Sequence, residues 1–151
     1  MADIDWDAYA QVADAYLKRD VFIGTPIRGN MLTKAAKNTY NKYGITIPIE
    51  LALSQAQIES SMGRTGRNPY TNPYNVYEYD SGTKKRYKNI QSGINAYYDL
   101  IARRYLAKNT VDNLLLNFVN DKGQRYASDP NYENKIRNQY EYIMRNYSGG
   151  G

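Results

Sequence analysis

Apolar residues recur at every third or fourth position along most of this chain, which is the spacing of amphipathic α-helices. Between about residues 5 and 19, for example, Tyr9, Ala13 and Tyr16 fall on one helical face. Gly44 follows the second apolar stretch and is a typical helix terminator. The spacing predicts six helices, at about residues 5–19, 31–43, 49–62, 91–108, 111–120 and 130–147.

One segment favours β-structure instead. Residues 76–79 read Val-Tyr-Glu-Tyr and precede the turn residues Asp80, Ser81 and Gly82, so residues 75–87 predict a β-hairpin. The sequence therefore predicts an α+β fold that is mainly helical, in which the hairpin forms a small lobe. A chain of 151 residues is long enough for one domain with a substantial core.

Composition narrows the chemistry that this chain can perform. It contains neither cysteine nor histidine, which excludes disulfides, thiolate or imidazole metal ligands, and catalysis by serine–histidine pairs or by cysteine. Acid–base catalysis near neutral pH would therefore fall to Asp, Glu, Tyr or Lys. No cofactor or metal is expected, and no apolar run approaches the roughly 18 residues that would predict a membrane span.

The chain is rich in tyrosine and carries a positive net charge. Its 17 tyrosines accompany only two phenylalanines and one tryptophan. Tyrosine joins an apolar ring to a polar hydroxyl, which suits grooves that bind sugars, although replacement of phenylalanine near the surface explains the bias equally well. The net charge of +5 favours a polyanionic partner and leaves nucleic acid, anionic lipid and bacterial cell wall open.

The predicted helix over residues 49–62 places a carboxylate where an apolar residue is expected. On a helical wheel Glu59 lies between two apolar sectors, opposite the polar arc that we expect to face solvent. That arc comprises Glu50, Ser54, Gln57 and Ser61. Apolar surroundings disfavour the charged form of a carboxylate, which raises its pKa and suits it to act as a general acid. The alternative is a structural carboxylate that pairs with an arginine or caps another segment.

Four motifs follow one another along the chain. Residues 56–63, Ala-Gln-Ile-Glu-Ser-Ser-Met-Gly, form a helix end that carries a glutamate, and a loop follows it. Asparagine-rich residues 72–77 and tyrosine-rich residues 86–98 come next, and Tyr-Ala-Ser-Asp-Pro-Asn-Tyr opens residues 126–136. In this order the motifs resemble glycoside hydrolase family 73, whose members are peptidoglycan hydrolases. The resemblance covers about residues 30–147.

This resemblance implies a lysozyme-like fold, in which a sugar-binding groove separates a helical lobe from a small β-lobe. It implies an endo-β-N-acetylglucosaminidase that cleaves β-1,4 bonds of bacterial glycan strands, with Glu59 as the general acid. On this basis residues 1–29 form an N-terminal helical extension packed on the catalytic domain. Residues 30–147 form the lysozyme-like glucosaminidase domain, and residues 148–151 are a flexible glycine-rich tail.

The resemblance also implies further catalytic groups. Glycoside hydrolysis usually uses a second carboxylate as base or nucleophile, and Glu78 and Asp80 are available in the β-lobe. We favour Glu78, because turn formation explains Asp80. Assistance by the acetamido group of the sugar is the alternative. Tyr126 is the motif tyrosine expected near the acid, where its hydroxyl would position water or stabilise charge.

The predicted groove offers five candidate substrate-binding residues, Tyr74, Asn75, Tyr77, Tyr97 and Tyr132. Some have a structural alternative, since Tyr132 can pack beneath a helix and either Tyr97 or Tyr98 is expected in the core. Asp129 is expected to cap the last helix rather than to bind substrate.

Several alternative functions stay open at this point. A lytic transglycosylase or muramidase would use the same fold and glutamate, whereas a noncatalytic wall-binding virion module would keep only the fold. Nucleic-acid binding is supported by charge and tyrosine content alone. Residues 1–7 are acidic and lack an apolar run, so we expect no signal peptide. A phage virion or lysis system would then bring the enzyme to peptidoglycan, with phage tail or injection proteins as partners.

Overall fold

The structure, a computed structural model, describes residues 4–66, 70–76 and 87–148. Within these ranges the chain is mainly helical, as the apolar spacing predicts. Its α-helices are α1 (Trp6–Leu17), α2 (Gly29–Tyr43), α3 (Ile49–Ser60), α4 (Ile90–Leu100), α5 (Val111–Leu116) and α6 (Tyr132–Asn146). A 3₁₀ turn, Asp20–Phe22, follows α1, and a π-helical segment, Ile101–Leu106, continues α4. Over the same ranges every helix is too short or too polar to cross a bilayer.

Local sequence decides where several helices begin and end. Asp5 precedes α1, and its side chain accepts a hydrogen bond from the Ala8 N–H at 3.0 Å, which satisfies a donor that the helix leaves free. Gly44 ends α2 with a left-handed φ of 69°, and its N–H donates to the Tyr40 carbonyl at 2.8 Å. Glycine adopts this conformation without a Cβ clash, so the predicted helix end is confirmed.

Helix α3 is the most buried helix of the described core, and both α1 and α6 pack against it. The prediction that Glu50, Ser54, Gln57 and Ser61 form a solvent face is wrong. Ser54 is fully buried and donates to the Glu50 carbonyl at 2.6 Å, and the other three residues are half-buried. Periodicity within one helix could not show this, because the residues that cover this face belong to distant parts of the chain.

Two contacts show what covers that face of α3. The hydroxyl of Tyr16, on α1, donates to Oε1 of Gln57. The hydroxyl of Ser148, beyond the end of α6, donates to the carboxylate of Glu50. Polar residues on α3 therefore face polar groups of neighbouring segments rather than bulk water.

Helix α1 lies against α2 and α3. The Tyr9 hydroxyl donates to the Ile47 carbonyl at 2.8 Å and shares a hydrogen bond of 2.8 Å with the Tyr98 hydroxyl. At Gly29 the approach of α1 to α2 is so close that a Cβ would lie 2.2 Å from Oδ1 of Asp14. The buried residues of α1 therefore belong to the same apolar core as those of α2 and α3.

Two of the later predicted helices differ from the structure. The predicted helix over residues 91–108 changes from α to π geometry in its second half. The predicted helix over residues 111–120 ends at Leu116, because the chain turns back to form an antiparallel bridge between Val119 and Arg125. Both predictions identified helical segments correctly but extended regular α-helix too far.

Residues 77–86 of the predicted β-hairpin lie outside the described residues. The hairpin lobe and the lysozyme-like arrangement therefore stay predictions. The preceding segment, residues 70–76, is described and contacts the start of α4. Gly93 allows this contact, because a Cβ there would lie 1.9 Å from the Thr71 carbonyl oxygen. This contact places residues 70–76 beside the core.

Candidate active site

Glu59 lies in the last turn of α3, immediately before a sharp change of chain direction. Three successive residues after the helix have positive φ values: Ser61 (48°), Met62 (64°) and Gly63 (77°). The Ser60 hydroxyl accepts a hydrogen bond from the Gly63 N–H at 2.7 Å, and the buried Thr25 hydroxyl donates to the Met62 carbonyl at 2.5 Å. These contacts stabilise a backbone conformation that is unfavourable for residues other than glycine. These contacts therefore fix the helix end that carries the half-buried Glu59 side chain.

Asn75 holds the Glu59 carboxylate from the neighbouring segment. Its side-chain Nδ2 donates to the Glu59 carbonyl at 3.0 Å and to Oε1 of the Glu59 carboxylate at 3.2 Å. Asn75 has a φ of 55°, a conformation that asparagine tolerates better than most residues. The buried Asn72 side chain supports this segment by pairing with both the N–H and the carbonyl of Val76, at 2.9 and 3.2 Å. The predicted site residues Asn75 and Glu59 are thus in direct contact.

Tyr132, the first residue of α6, lies beside the same carboxylate. Its ring is almost completely buried. The hydroxyl accepts a hydrogen bond from Nε2 of Gln55 at 3.0 Å and lies close enough to the Glu59 carboxylate for that charge to affect its pKa. Burial and the negative charge of Glu59 raise the pKa of the Tyr132 phenol well above its ordinary value of 10.0. The phenol therefore keeps its proton and can donate it in a hydrogen bond.

Tyr126 lies beside Tyr132, with their rings nearly parallel and the centroids 5.8 Å apart. Burial, followed by the charges of Tyr132 and Glu59, raises the pKa of the Tyr126 phenol. Its hydroxyl donates to the Tyr74 carbonyl at 2.9 Å, so its only proton points to the backbone. The charge of Glu59 thus acts on the Tyr126 phenol. That Tyr126 positions water or stabilises charge during catalysis stays a prediction.

Tyr74 and Tyr97 lie in the apolar core and bond to α3 before Glu59. Their rings stack with centroids 3.6 Å apart, and both side chains are fully buried. The Tyr74 hydroxyl donates to the Ala52 carbonyl at 2.9 Å, and the Tyr97 hydroxyl donates to Oε1 of Gln55. Their burial does not favour the predicted direct contact with sugar. It indicates instead that they support the residues around Glu59.

Gln55 is a site residue that the sequence patterns did not single out. It is fully buried, and both ends of its amide are hydrogen-bonded to tyrosines. Residues four apart lie on the same face of a helix, and Gln55 precedes Glu59 by one such turn. The sequence does contain a signal for Gln55, because this amide lies one helical turn before the candidate acid and on the same face.

The other acidic residues near the start of α6 are engaged in ion pairs. Glu133 pairs with Arg125 at 2.9 Å and accepts the Phe118 N–H at 2.9 Å, while Asp129 pairs with Lys135 at 2.6 Å. Glu78 and Tyr77, which are predicted site residues, and the turn residue Asp80 lie outside the described residues. In the part of the chain that is described, no cluster of three or more Asp, Glu, His or Cys side chains is arranged to hold a metal ion.

Four of the predicted site residues, Glu59, Asn75, Tyr126 and Tyr132, thus come together at the end of α3. Comparison with known protein families matches residues 33–145 to the glucosaminidase family, described as mannosyl-glycoprotein endo-beta-N-acetylglucosaminidase. The four residues all fall within the matched segment. No curated protein matches the chain. The family match covers most of the chain, and the protein therefore belongs to the glucosaminidase family.

Proposed function

We propose that the protein is a peptidoglycan hydrolase, an endo-β-N-acetylglucosaminidase that cleaves β-1,4 bonds in bacterial cell-wall glycan. Glu59 acts as the general acid. The observation that carries this proposal is the Glu59 carboxylate at a helix end, held by the Asn75 amide and lying beside the buried Tyr132 hydroxyl. Family membership supports a glycosidase that acts on a peptidoglycan substrate.

The proposed reaction begins with proton transfer to the leaving group. Protonated Glu59 donates its proton to the glycosidic oxygen while the bond between that oxygen and the anomeric carbon breaks. The carboxylate that remains accepts hydrogen bonds from Asn75 and Tyr132, which stabilise its negative charge. The oxygen of a water molecule then bonds to the anomeric carbon, where it keeps one proton as the new hydroxyl, and the second proton passes to a base.

The base or nucleophile of this proposal is Glu78. Its distance from Glu59 would determine the stereochemical outcome, because retaining enzymes place the two carboxyl groups closer together than inverting enzymes do. If the acetamido group of the substrate takes this role instead, Glu78→Gln will retain most of the activity. Tyr126 and Asn75 complete the proposed catalytic surroundings, and Tyr77 is a proposed sugar contact.

The central experiment replaces Glu59 by glutamine and measures hydrolysis of purified glycan strands. We expect kcat to fall by about 10³-fold, because glutamine has the shape of glutamate but no acidic proton. Glu50→Gln is the matched control, since Glu50 lies on the same helix and its carboxylate contacts Ser148. The control should change kcat by less than about twofold. Undiminished hydrolysis by Glu59→Gln would show that Glu59 is not the acid, and absence of hydrolysis by the wild-type protein would indicate a noncatalytic wall-binding module.

Mass spectrometry of the digested glycan separates the proposed reaction from its closest rivals. Reducing N-acetylglucosamine ends support the glucosaminidase, reducing N-acetylmuramic acid ends indicate a muramidase, and anhydromuramyl ends indicate a lytic transglycosylase. Delivery by a phage particle or lysis system stays a prediction from the sequence, and detection of the polypeptide in purified particles would test it.

A further inference from the structure

A buried chain of hydrogen bonds leads from the core to the candidate acid. The Tyr97 hydroxyl donates to Oε1 of Gln55, Nε2 of Gln55 donates to the Tyr132 hydroxyl at 3.0 Å, and that hydroxyl lies beside the Glu59 carboxylate. Tyr97 and Gln55 are fully buried, and Tyr132 is almost fully buried. Solvent therefore does not supply substitutes for these hydrogen bonds.

The chemistry of the groups sets the direction of every bond in this chain. Burial raises the pKa of the Tyr97 phenol, so Tyr97 remains a donor and requires the carbonyl end of the Gln55 amide. The NH₂ end must then face Tyr132, which accepts from it. A phenol has a single proton, and with Gln55 as donor on one side, the Tyr132 proton points to Glu59.

We propose that Gln55 is a positioning residue for the general acid, which directs the Tyr132 proton onto the Glu59 carboxylate. This inference rests on the proposed function of Glu59. Gln55 does not touch the reacting atoms, and its effect passes through Tyr132. The donor that it orients stabilises the Glu59 anion left after proton transfer and holds the carboxylate in one orientation.

The first test replaces Gln55 by methionine, which has a similar length but no amide. Without the Gln55 donor the Tyr132 proton is no longer directed, so we expect kcat to fall about tenfold with KM nearly unchanged. Because the Glu59 anion loses a fixed donor, the alkaline limb of the kcat/KM profile should move about 0.5–1 pH unit higher. Gln57→Met is the matched control, because Gln57 lies on the same helix as Gln55 and bonds to a tyrosine, Tyr16 of α1, that is not part of the chain leading to Glu59. The control should leave both kcat and the pH of the alkaline limb unchanged.

A double-mutant cycle distinguishes positioning from simple loss of packing. If Gln55 acts through Tyr132, Gln55→Met should have little further effect in a Tyr132→Phe background. Additive losses, or a fall in kcat without movement of the alkaline limb, would overturn the proposal. So would unchanged kinetics of Gln55→Met while Glu59→Gln is inactive. If Glu59→Gln itself remains active, the proposed function fails instead.

A milder variant keeps the proposal testable if Gln55→Met does not fold. Tyr97→Phe retains the ring that stacks on Tyr74 but removes the donor that fixes the Gln55 amide. The amide can then rotate, so we expect a smaller loss of kcat and an alkaline limb displaced in the same direction. Wild-type kinetics in Tyr97→Phe, with unchanged thermal stability, would contradict a directed chain of hydrogen bonds.

Discussion

Helix α3 takes part in two hydrogen-bond networks of glutamine and tyrosine. One contributes to stability alone, and the other leads to the proposed catalytic acid. In one, Gln139 donates to the Tyr16 hydroxyl, which in turn donates to Gln57. In the other, Gln55 donates to the Tyr132 hydroxyl, which lies beside the Glu59 carboxylate and, as we propose, donates to it. Both consist of an amide, a phenol and a final acceptor, but only the second ends on an ionisable group.

The final acceptor determines what each network can do. The Tyr16 network joins α1, α3 and α6 through neutral groups, so it contributes to packing and to the free energy of unfolding. The Tyr132 network ends at the carboxylate that we propose as the acid, so any change in it alters the stability of a charge. The same residue types thus have different consequences because one network ends at the Gln57 amide and the other at the Glu59 carboxylate.

The largest effect that tests this comparison is expected from paired tyrosine substitutions. Tyr132→Phe keeps the ring but removes the donor to Glu59, and should lower kcat about 30-fold. Tyr16→Phe keeps the ring contacts with Phe22 and Tyr147 and should lower the free energy of unfolding by about 1 kcal/mol with nearly unchanged kcat. Glycan hydrolysis and thermal unfolding of both variants measure this. Equal loss of kcat in the two would remove the distinction.

A smaller effect is expected at Asn75, the second donor to Glu59. Asn75→Gly permits the left-handed φ of 55° but removes the amide, and should lower kcat about tenfold with little loss of stability. Asn75→Ala removes the same amide and adds a backbone penalty of about 1 kcal/mol. Kinetics and chemical denaturation of both variants separate the two contributions. An Asn75→Gly variant with wild-type kcat would show that the amide does not support the acid.

The smallest effect concerns the acid sensitivity of the segment that holds Tyr132. Burial disfavours a charged Glu133, but hydrogen bonds from the Phe118 N–H and Arg125 outweigh it and lower the pKa of Glu133 from 4.5. The stability that this carboxylate contributes is therefore complete above about pH 4.5 and is lost as pH falls through the lowered value.

Glu133→Gln should accordingly be less stable than wild type at pH 7 by about 1 kcal/mol, with the difference shrinking below pH 4.5. Melting temperatures measured from pH 7 to pH 3 check this. Glu141→Gln, at an exposed position of the same helix, is the control and should show a difference that is small at every pH. A constant difference for Glu133→Gln would contradict the ion-pair explanation.

Much of the helical architecture could be predicted from local sequence. Asp5 and Gly44 mark helix ends by side-chain capping and by left-handed backbone, both of which depend only on neighbouring residues. The π-helical geometry of Ile101–Leu106 and the early end of α5 at Leu116 could not be predicted. Apolar spacing does not report the contacts seen there: the Arg104 carbonyl accepts a hydrogen bond from the Asp121 N–H at 2.8 Å, and α5 ends before the bridge between Val119 and Arg125.

The candidate acid was also accessible from sequence, because Glu59 falls between two apolar sectors of a helix that carries a family motif. Its surroundings were not. The burial of Tyr74 and Tyr97 depends on how α4 and residues 70–76 meet, and a helical wheel assigns no position to groups from other helices. For the same reason Ser54 and Gln55 were not expected in the core.

The sequence by itself determined the helical content, several helix ends, the absence of histidine and cysteine chemistry, and the glutamate at the end of α3. Spacing and composition are properties of short segments, so they can be read directly from the chain. Only the tertiary structure decided that Asn75 donates to Glu59 and which tyrosines are buried around it. Hydrogen-bond direction and burial depend on groups that are separated by tens of residues and meet only when α3, α4 and α6 pack together.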